Sequence, residues 1–354
     1  MKVGLFISAI HYSLNQKKFV YFQNSFENII YGAGNTWLLQ PYLQSSIKAG
    51  AHLTFNPGIH LMHLALNKQT VIDPRLSIQY RFNNSQTFSI AYGIHSKTLP
   101  LGSYFYKNSA GGGYPNKNLE MMRSHHYIAA FDQLLGKGWR LHAEAYYQQL
   151  FKIPVVNDVN RTYWLLNQLE GYANESLVSK GKGTNKGVDI TVEKFFTKGF
   201  FMITSFSAFN STYQPLNGIT YNTQFNSRTS GSWTGTKEWS LKKNKVFQFG
   251  WKMLHNGGLP LTALANVTSS TREPVLDETM PFLERVRPYY RTDLRLALRK
   301  DKVKVAWQLA LDIQNVFSIK NIDGLDRKYD PSVNQWIYKT QSGLVPVLSY
   351  QIDF

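Results

Sequence analysis

The chain has 354 residues, of which 43% are hydrophobic and 14% aromatic, a composition too apolar for a disordered chain. It contains no cysteine, which excludes a disulfide scaffold and a Cys-ligated metal site. Its 39 Lys and Arg against 22 Asp and Glu give a formal charge of +17. These basic residues are scattered rather than gathered into one arm or helix, so we expect no nucleic-acid partner.

The clearest pattern along the chain has a period of two. In residues 87–95, the apolar Phe88, Ile90, Tyr92 and Ile94 alternate with small or polar residues, as in a strand with one apolar face. The same alternation occurs in residues 76–82, 188–193 and 293–299. No stretch approaches the roughly 18 consecutive apolar residues of a membrane-spanning helix, so strands are the expected elements. Alternation by itself is compatible with a soluble sandwich or a membrane barrel.

The predicted connections between strands alternate between short and long. Tight turns are predicted at residues 56–58, 83–84, 136–138, 197–199, 243–244 and 300–301. Long loops are predicted at residues 96–123, 151–186, 211–237, 254–290 and 317–342. Short periplasmic turns and longer extracellular loops are typical of outer-membrane barrels. We therefore predict an all-β chain that forms an antiparallel transmembrane β-barrel.

The direction of the chain through these turns predicts about fifteen strands, of which the first runs towards the periplasm. Bacterial single-chain barrels normally have an even number of strands and both ends in the periplasm. We therefore expect an incomplete barrel that lacks N-terminal strands. Residues 1–12 also lack the small-residue cleavage site of a signal peptide.

The last residues of the chain form an amphipathic pattern that ends in an aromatic residue. Leu348, Tyr350, Ile352 and Phe354 fall on one face of a predicted strand, and the polar residues between them fall on the other. The pattern resembles the C-terminal assembly signal of outer-membrane proteins, which the barrel-insertion machinery reads. We predict that Tyr350, Ile352 and Phe354 form this signal; the alternative is an ordinary closing strand.

Several segments resemble barrel segments of TonB-dependent receptors of the Bacteroidetes type. They are residues 146–148 (YYQ) with 153–155 (IPV), 187–195 (GVDITVEKF), 312–317 (DIQNVF) and the C-terminal 343–354. The resemblance implies a ligand receptor in the bacterial outer membrane, with a plug and a TonB-box segment that precede a barrel of about 22 strands. Neither plug nor TonB box is recognisable here.

We therefore expect residues 1–354 to be the C-terminal part of such a barrel, without its plug. The expected partners are outer-membrane lipid and lipopolysaccharide, the barrel-assembly machinery and a small ligand that the sequence does not identify. TonB would act only through an N-terminal part that is absent from these residues.

Aromatic residues in or near the long loops are candidates for stacking against a ligand. The predicted ligand-binding residues are Tyr104, Tyr106, Trp164, Trp233 and Trp336. Aromatic residues on strands, such as Tyr92 and Tyr350, are predicted instead to anchor the barrel at the membrane interfaces.

No motif in the sequence indicates catalysis or a cofactor. Residues 181–187 are glycine-rich but lack the spacing of a phosphate-binding loop. His60 and His63, and likewise His125 and His126, would point to opposite faces of a strand, which disfavours a metal site. We predict no enzymatic activity, no metal and no cofactor.

The first hypothesis for function is TonB-coupled uptake of a scarce ligand. The second is a self-contained passive porin or structural barrel, which would need a signal peptide of its own and an even strand number. The third is a soluble all-β carbohydrate-binding or enzymatic domain, in which loops would be more uniform in length.

Overall fold

The computed structural model describes residues 1–20, 24–108, 113–168, 171–264, 276–330 and 335–354, without the side chains of residues 20 and 324–336. The strands are β1 (Lys2–Val20), β2 (Ser25–Gln44), β3 (Ile47–Ala49), β4 (Leu53–Leu64), β5 (Gln69–Asn83), β6 (Gln86–Lys97), β7 (Met122–Gly136), β8 (Trp139–Val156), β9 (Leu177–Thr197), β10 (Phe200–Gln214), β11 (Tyr221–Asn222), β12 (Thr229–Leu241), β13 (Lys245–Asn256), β14 (Pro260–Leu261), β15 (Glu284–Arg285), β16 (Tyr289–Asp301), β17 (Ala306–Gln314), β18 (Ile322–Asp330), β19 (Gln335–Thr340) and β20 (Val345–Asp353). Two short 3-10 helices, Leu101–Phe105 and Leu165–Asn167, lie in the connections. Among the residues described, no helix has the length and apolar character needed to cross a membrane.

Fourteen strands follow one another in a single antiparallel sheet that forms the wall, in the order β1-β2-β4-β5-β6-β7-β8-β9-β10-β12-β13-β16-β17-β20. β3 and β11 add short pairings to β4 and β10, and β14–β15 and β18–β19 form separate hairpins. Every wall strand pairs with its neighbours in the wall, as expected when hairpins follow one another along the chain. The predicted all-β antiparallel fold is confirmed.

The connections between wall strands differ in length at the two ends of the sheet. From β5 onwards they are residues 84–85, 137–138, 198–199, 242–244 and 302–305 at one end and residues 98–121, 157–176, 215–228, 257–288 and 315–344 at the other. Before β5 the pattern does not hold, because the connection at the long-loop end, residues 65–68, is shorter than residues 45–52 at the opposite end. The predicted separation of short turns from long loops is therefore confirmed from β5 onwards. By the layout of outer-membrane barrels, the long-loop end is the extracellular one.

The predicted strand count is wrong. β1 starts at the short-turn end, where Lys2 pairs with Gln44, and β20 finishes at the same end, where Asp353 pairs with Ala306. The wall therefore has an even number of strands, and its first strand runs towards the long loops. In the described part of the chain β1 and β20 do not pair with each other, so the wall is open, as expected of an incomplete barrel.

The error in the count arises at residues 56–58, whose Asn-Pro-Gly sequence predicts a turn but lies inside β4. β4 changes partner at this point, because Phe55 pairs with Ile47 of β3 and Gly58 pairs with Gln44 of β2. A proline has no N–H to donate to a ladder. Pro57 lies at the break between the two partners, where the strand accommodates it.

The outer face of the wall is apolar. On β6 the side chains of Phe88, Ile90 and Tyr92 are 39%, 46% and 38% exposed, and they alternate with residues that point to the inner face. Tyr92 pairs with Tyr127 of β7, and Tyr127 pairs with Tyr147 of β8. The ring centroids of Tyr92 and Tyr127 are 5.1 Å apart, and those of Tyr127 and Tyr147 are 6.1 Å apart. The three rings thus form a row across neighbouring strands, as in the aromatic girdle of a membrane barrel.

The main buried core lies at the long-loop end rather than in the middle of the wall. Strand residues such as Met62 and Leu64 of β4 pack there against Tyr104 and Leu119 of one loop and Trp164 of the next. We call this cluster the loop core. The long loops thus fold against the wall and bury apolar side chains that would otherwise be exposed to water.

A charge on the outer face should destabilise the protein more than the same charge one residue away on the inner face. Ile90→Lys places an ammonium group against lipid and should lower the free energy of unfolding by about 2–4 kcal/mol near the bilayer midplane. Ser89→Lys, which points to the lumen, should change it by less than about 1 kcal/mol. Urea denaturation of the protein in outer membranes measures both, and equal losses would contradict the assigned faces.

Candidate functional site

The inner, lumenal face carries charged residues that are largely matched by partners on neighbouring strands. On β7, β8 and β9, Arg140 lies 2.5 Å from Asp132 and 3.1 Å from Glu193, and His142 lies 3.1 Å from Asp132. Since all these side chains are partly exposed, each pair contributes only about 0–1 kcal/mol to stability. Their main effect is to leave this part of the lumen without excess positive charge.

A second lumenal group of paired charges lies on β16 and β17. Arg291 Nε is 2.7 Å from Asp293, and Arg295 Nη1 is 2.6 Å from Asp312. A cavity of about 470 Å³ lies elsewhere on the lumenal side and is lined by residues of β1, β2, β4, β5 and β6. Its lining differs from these groups, because it combines basic, neutral polar and apolar side chains and contains no carboxylate.

One buried carboxylate lies behind this cavity, that of Asp73 on β5. Its side chain is 0% exposed, and its oxygens accept the Ser96 N–H at 3.0 Å and the Ser96 hydroxyl at 2.6 Å. Arg123 Nη2 lies 3.5 Å away and His60 Nδ1 3.6 Å away. A buried carboxylate requires such partners. The negative charge of Asp73 is therefore compensated by these side chains of the wall.

Three basic side chains, Arg75, His95 and His126, surround Gly93 on the lumenal face. We call them the lumenal basic patch. Arg75 pairs with Gly93 across β5 and β6, and Gly93 pairs with His126 across β6 and β7. His95 lies two residues beyond Gly93, on the same face. The imidazole centroids of His95 and His126 are 4.3 Å apart.

The structure places two of the predicted ligand-binding residues in the loop core. Tyr104 is 1% exposed, and its hydroxyl accepts the Leu99 N–H at 3.4 Å. Trp164 is 2% exposed, and its ring lies 5.1 Å from that of Tyr213 and directly over Gly183, where a Cβ would be 2.7 Å from the indole. Packing covers both rings, and ligand contact by Tyr104 and Trp164 stays a prediction.

The other predicted aromatic residues lie apart from one another. Tyr106 is half-buried and its backbone bridges to Ile30. Trp233 lies within β12 rather than in a loop, paired with the exposed Met253 on the outer face. Trp336 belongs to β19, but its side chain falls outside the described residues. The structure thus does not assemble the five residues into one site.

The histidine pairs behave as predicted from strand geometry. His125 accepts or donates a hydrogen bond at 3.0 Å with the Tyr92 hydroxyl on the outer face, whereas His126 contacts His95 on the lumenal face. Within the described ranges, no three His, Cys, Asp or Glu residues are grouped so that they could hold a metal ion.

The predicted C-terminal signal lies on the last wall strand. Tyr350 and Ile352 of β20 pair with Leu309 and Trp307 of β17, and both are exposed on the apolar face. Phe354 is 98% exposed just beyond the strand. The amphipathic closing strand is thus confirmed, and its reading by the insertion machinery stays a prediction.

A sequence model of the family described as TonB dependent receptor-like, beta-barrel matches residues 9–316. The chain belongs to the TonB-dependent receptor family. Members are receptors and transporters of the bacterial outer membrane, so the apolar outer face contacts lipid in that membrane. Among curated proteins no sequence match reaches significance. The narrower Bacteroidetes type stays a prediction.

Solved structures of outer-membrane receptors have the same fold. FpvA of Pseudomonas aeruginosa, bound to a heterologous ferric pyoverdine, has a TM-score of 0.64 at 14% identity, over 99% of this chain and 45% of its own. Fiu, the ferric-catecholate import receptor of Escherichia coli K12, has 0.61 at 12% identity, over 89% and 44%. The transporter YddB of Escherichia coli has 0.60 at 11% identity, over 98% and 50%. The TonB-dependent receptor chain described here thus spans half or less of each.

The loop core of this receptor should lose stability at high pH. Burial raises the pKa of Tyr104 from 10.0 to about 12, so the folded state retains a proton that the unfolded state releases. Stability from this group is complete below pH 10 and is lost as the pH rises towards 12, at up to about 1.4 kcal/mol per pH unit. In Tyr104→Phe this slope should be smaller. Urea denaturation followed by near-ultraviolet circular dichroism at several pH values measures it; an unchanged slope would contradict the assignment.

Trp164 should act through packing rather than through ligand contact. Trp164→Ala removes a buried ring from the loop core and should cost about 3–5 kcal/mol of local stability, while Trp164→Phe should cost less. Trp233→Ala, on the exposed face of β12, is the matched control. Limited proteolysis of intact cells measures cleavage in the long loops, and similar cleavage rates in Trp164→Ala and Trp233→Ala would contradict the packing role.

Proposed function

We propose that residues 1–354 form the C-terminal part of the barrel wall of a receptor that takes up a scarce small ligand through TonB. The observation that supports this most directly is the contrast between the two faces of the wall. An apolar outer face suits lipid, and a polar lumenal face with cavities offers hydrogen bonds to a solute. A plug and a TonB-contacting segment would have to come from outside these residues.

The loop core favours a receptor over a passive pore. The long loops pack against the wall and share one buried cluster at the extracellular end, which suits ordered loops that hold a ligand better than the rim of an open pore. The apolar outer face in turn disfavours a soluble carbohydrate-binding domain, whose surface would face water. A receptor role, with no catalysis by this chain, accounts for both features.

The ligand and the remaining partners are also proposals. Fiu is a ferric-catecholate import receptor and FpvA is bound to a ferric pyoverdine, but identities of 12% and 14% support only a common fold. For β20 we propose recognition by the barrel-assembly machinery through Tyr350, Ile352 and Phe354. The formal charge of +17 supports contact with anionic lipopolysaccharide.

A lumenal obstruction should reduce uptake while the same substitution one residue away should not. Ser207 of β10 lines a lumenal cavity of about 490 Å³, whereas Ala208 pairs with the exposed Val188 on the outer face. Ser207→Trp narrows the lumen and should lower uptake; Ala208→Trp faces lipid and should leave it unchanged.

The test uses the organism that carries the gene. A deletion strain is grown with single limiting sources of iron, cobalamin, peptides or oligosaccharides, and uptake is compared in strains with and without TonB. We expect a defect on one source that loss of TonB reproduces and that the intact gene or Ala208→Trp restores. A defect that is independent of TonB would support the passive pore, and no defect on any source would contradict uptake.

A further inference from the structure

The lumenal basic patch is centred on a glycine, Gly93. Arg75, Gly93 and His126 lie at one level of three neighbouring strands, which are spaced about 4.8 Å apart. A Cβ at Gly93 would lie 3.1 Å from Arg75 Cγ and 3.3 Å from His95 Nε2, so these two side chains already close over the glycine. Gly93 thus lies beneath the side chains of Arg75 and His95, and His126 lies beside it on the next strand.

The positive charge of Arg75 is not matched by a carboxylate. Arg75 is exposed and forms no ion pair or side-chain hydrogen bond with the described residues. Asp73, two residues earlier on the same face of β5, is buried and already bound by Ser96, Arg123 and His60. By contrast, the other lumenal arginines on β8 and β16 have carboxylate partners within 3.1 Å.

The surroundings of the patch add donors rather than acids. Arg75 and His60 line the cavity of about 470 Å³ together with neutral side chains, among them Gln40, Gln44 and Asn56. Arg75 acts electrostatically on both His95 and His126, so the three groups share one local environment. A guanidinium with free N–H groups next to imidazoles favours a planar or tetrahedral oxyanion, which can accept several hydrogen bonds at once.

We propose that the lumenal basic patch binds a carboxylate or phosphate group of the solute that passes through this receptor. The assignment rests on the proposed function, because it makes the patch part of the ligand route. The transported ligand is therefore anionic, and Arg75 is its main contact on this wall. The excess of basic residues in the chain draws such a solute towards the lumen.

The test measures anion binding at the patch directly and does not depend on uptake. Outer membranes that contain the whole receptor are treated with diethylpyrocarbonate, which modifies accessible neutral imidazoles, and each histidine is quantified by mass spectrometry. Citrate and inorganic phosphate serve as the anionic probes, and a neutral sugar serves as the negative probe. His142 is the internal control, because it is also lumenal but lies between Asp132 and Glu144.

We expect millimolar citrate or phosphate to slow the modification of His95 and His126 and to leave His142 unchanged. Arg75→Gln should weaken this protection by about tenfold, the effect of one charge-assisted contact. Arg295→Gln, whose guanidinium is paired with Asp312, should retain it. An unchanged rate at His142 in Arg75→Gln verifies that this variant folds.

A second variant keeps the charge and disturbs the arrangement of the patch. Gly93→Leu pushes the side chains of Arg75 and His95 out of their positions over the glycine and should abolish protection even though Arg75 remains. Three results would overturn the proposal. The first is protection of His142 equal to that of His95 and His126, and the second is protection that survives both substitutions. The third is that neither anion protects His95 and His126. Loss of TonB should leave protection intact, so a failed uptake experiment and a failed anion site give different results. Protection by an acidic peptide but by neither small anion would also overturn it, in favour of a chain segment in the lumen.

Discussion

Inside a lipid bilayer the backbone N–H and C=O groups must find partners within the protein, because the hydrocarbon offers none. Each unsatisfied group costs several kcal/mol, and the antiparallel ladder from β1 to β20 meets this requirement strand by strand. Regularity of pairing is therefore imposed on the wall, while irregular backbone is confined to the ends. The open edges at β1 and β20 are the places where this requirement is not met by the described strands themselves.

The ladder also determines where chemistry can lie. Because side chains alternate between the two faces, each strand offers about half of its residues to the lipid and half to the lumen. Charges therefore accumulate on the lumenal face, and several of them pair across adjacent strands, as Arg140 does with Asp132 and Glu193. Against this balanced background the three basic side chains around Gly93 are a local excess rather than part of a uniform positive surface.

The features that sequence could predict are the local ones. The alternation in residues 87–95 and the C-terminal pattern predict the two faces of a strand directly, because a period of two is the period of side chains along a β-strand. Residues 56–58 misled the strand count, since the change of partner that accommodates Pro57 depends on how β4 pairs with β2 and β3, which local sequence does not specify. The burial of Trp164 likewise depends on a distant strand, through Gly183 of β9.

The basic patch was missed for the same reason. Arg75 and His126 lie 51 positions apart in the sequence and become neighbours only through the register of three strands. The histidines drew attention solely as metal ligands, and the sequence signal that could have found the patch is the lone glycine on the face of β6 that carries small and polar residues. Glycine in a strand often marks a close approach of other groups.

The shared packing of the loop core has a consequence for how such a receptor can change over evolutionary time. Leu119 and Trp164 come from different loops and belong to the same buried cluster, and Asn116 of the first loop donates a hydrogen bond to the Glu175 carbonyl of the second, so neither loop is an independent module. A surface loop that is exchanged whole, for instance to escape a phage or an antibody, would leave its neighbour without a partner. Variation is tolerated instead at exposed tips, and the parts of the loops that face the wall must change together or not at all.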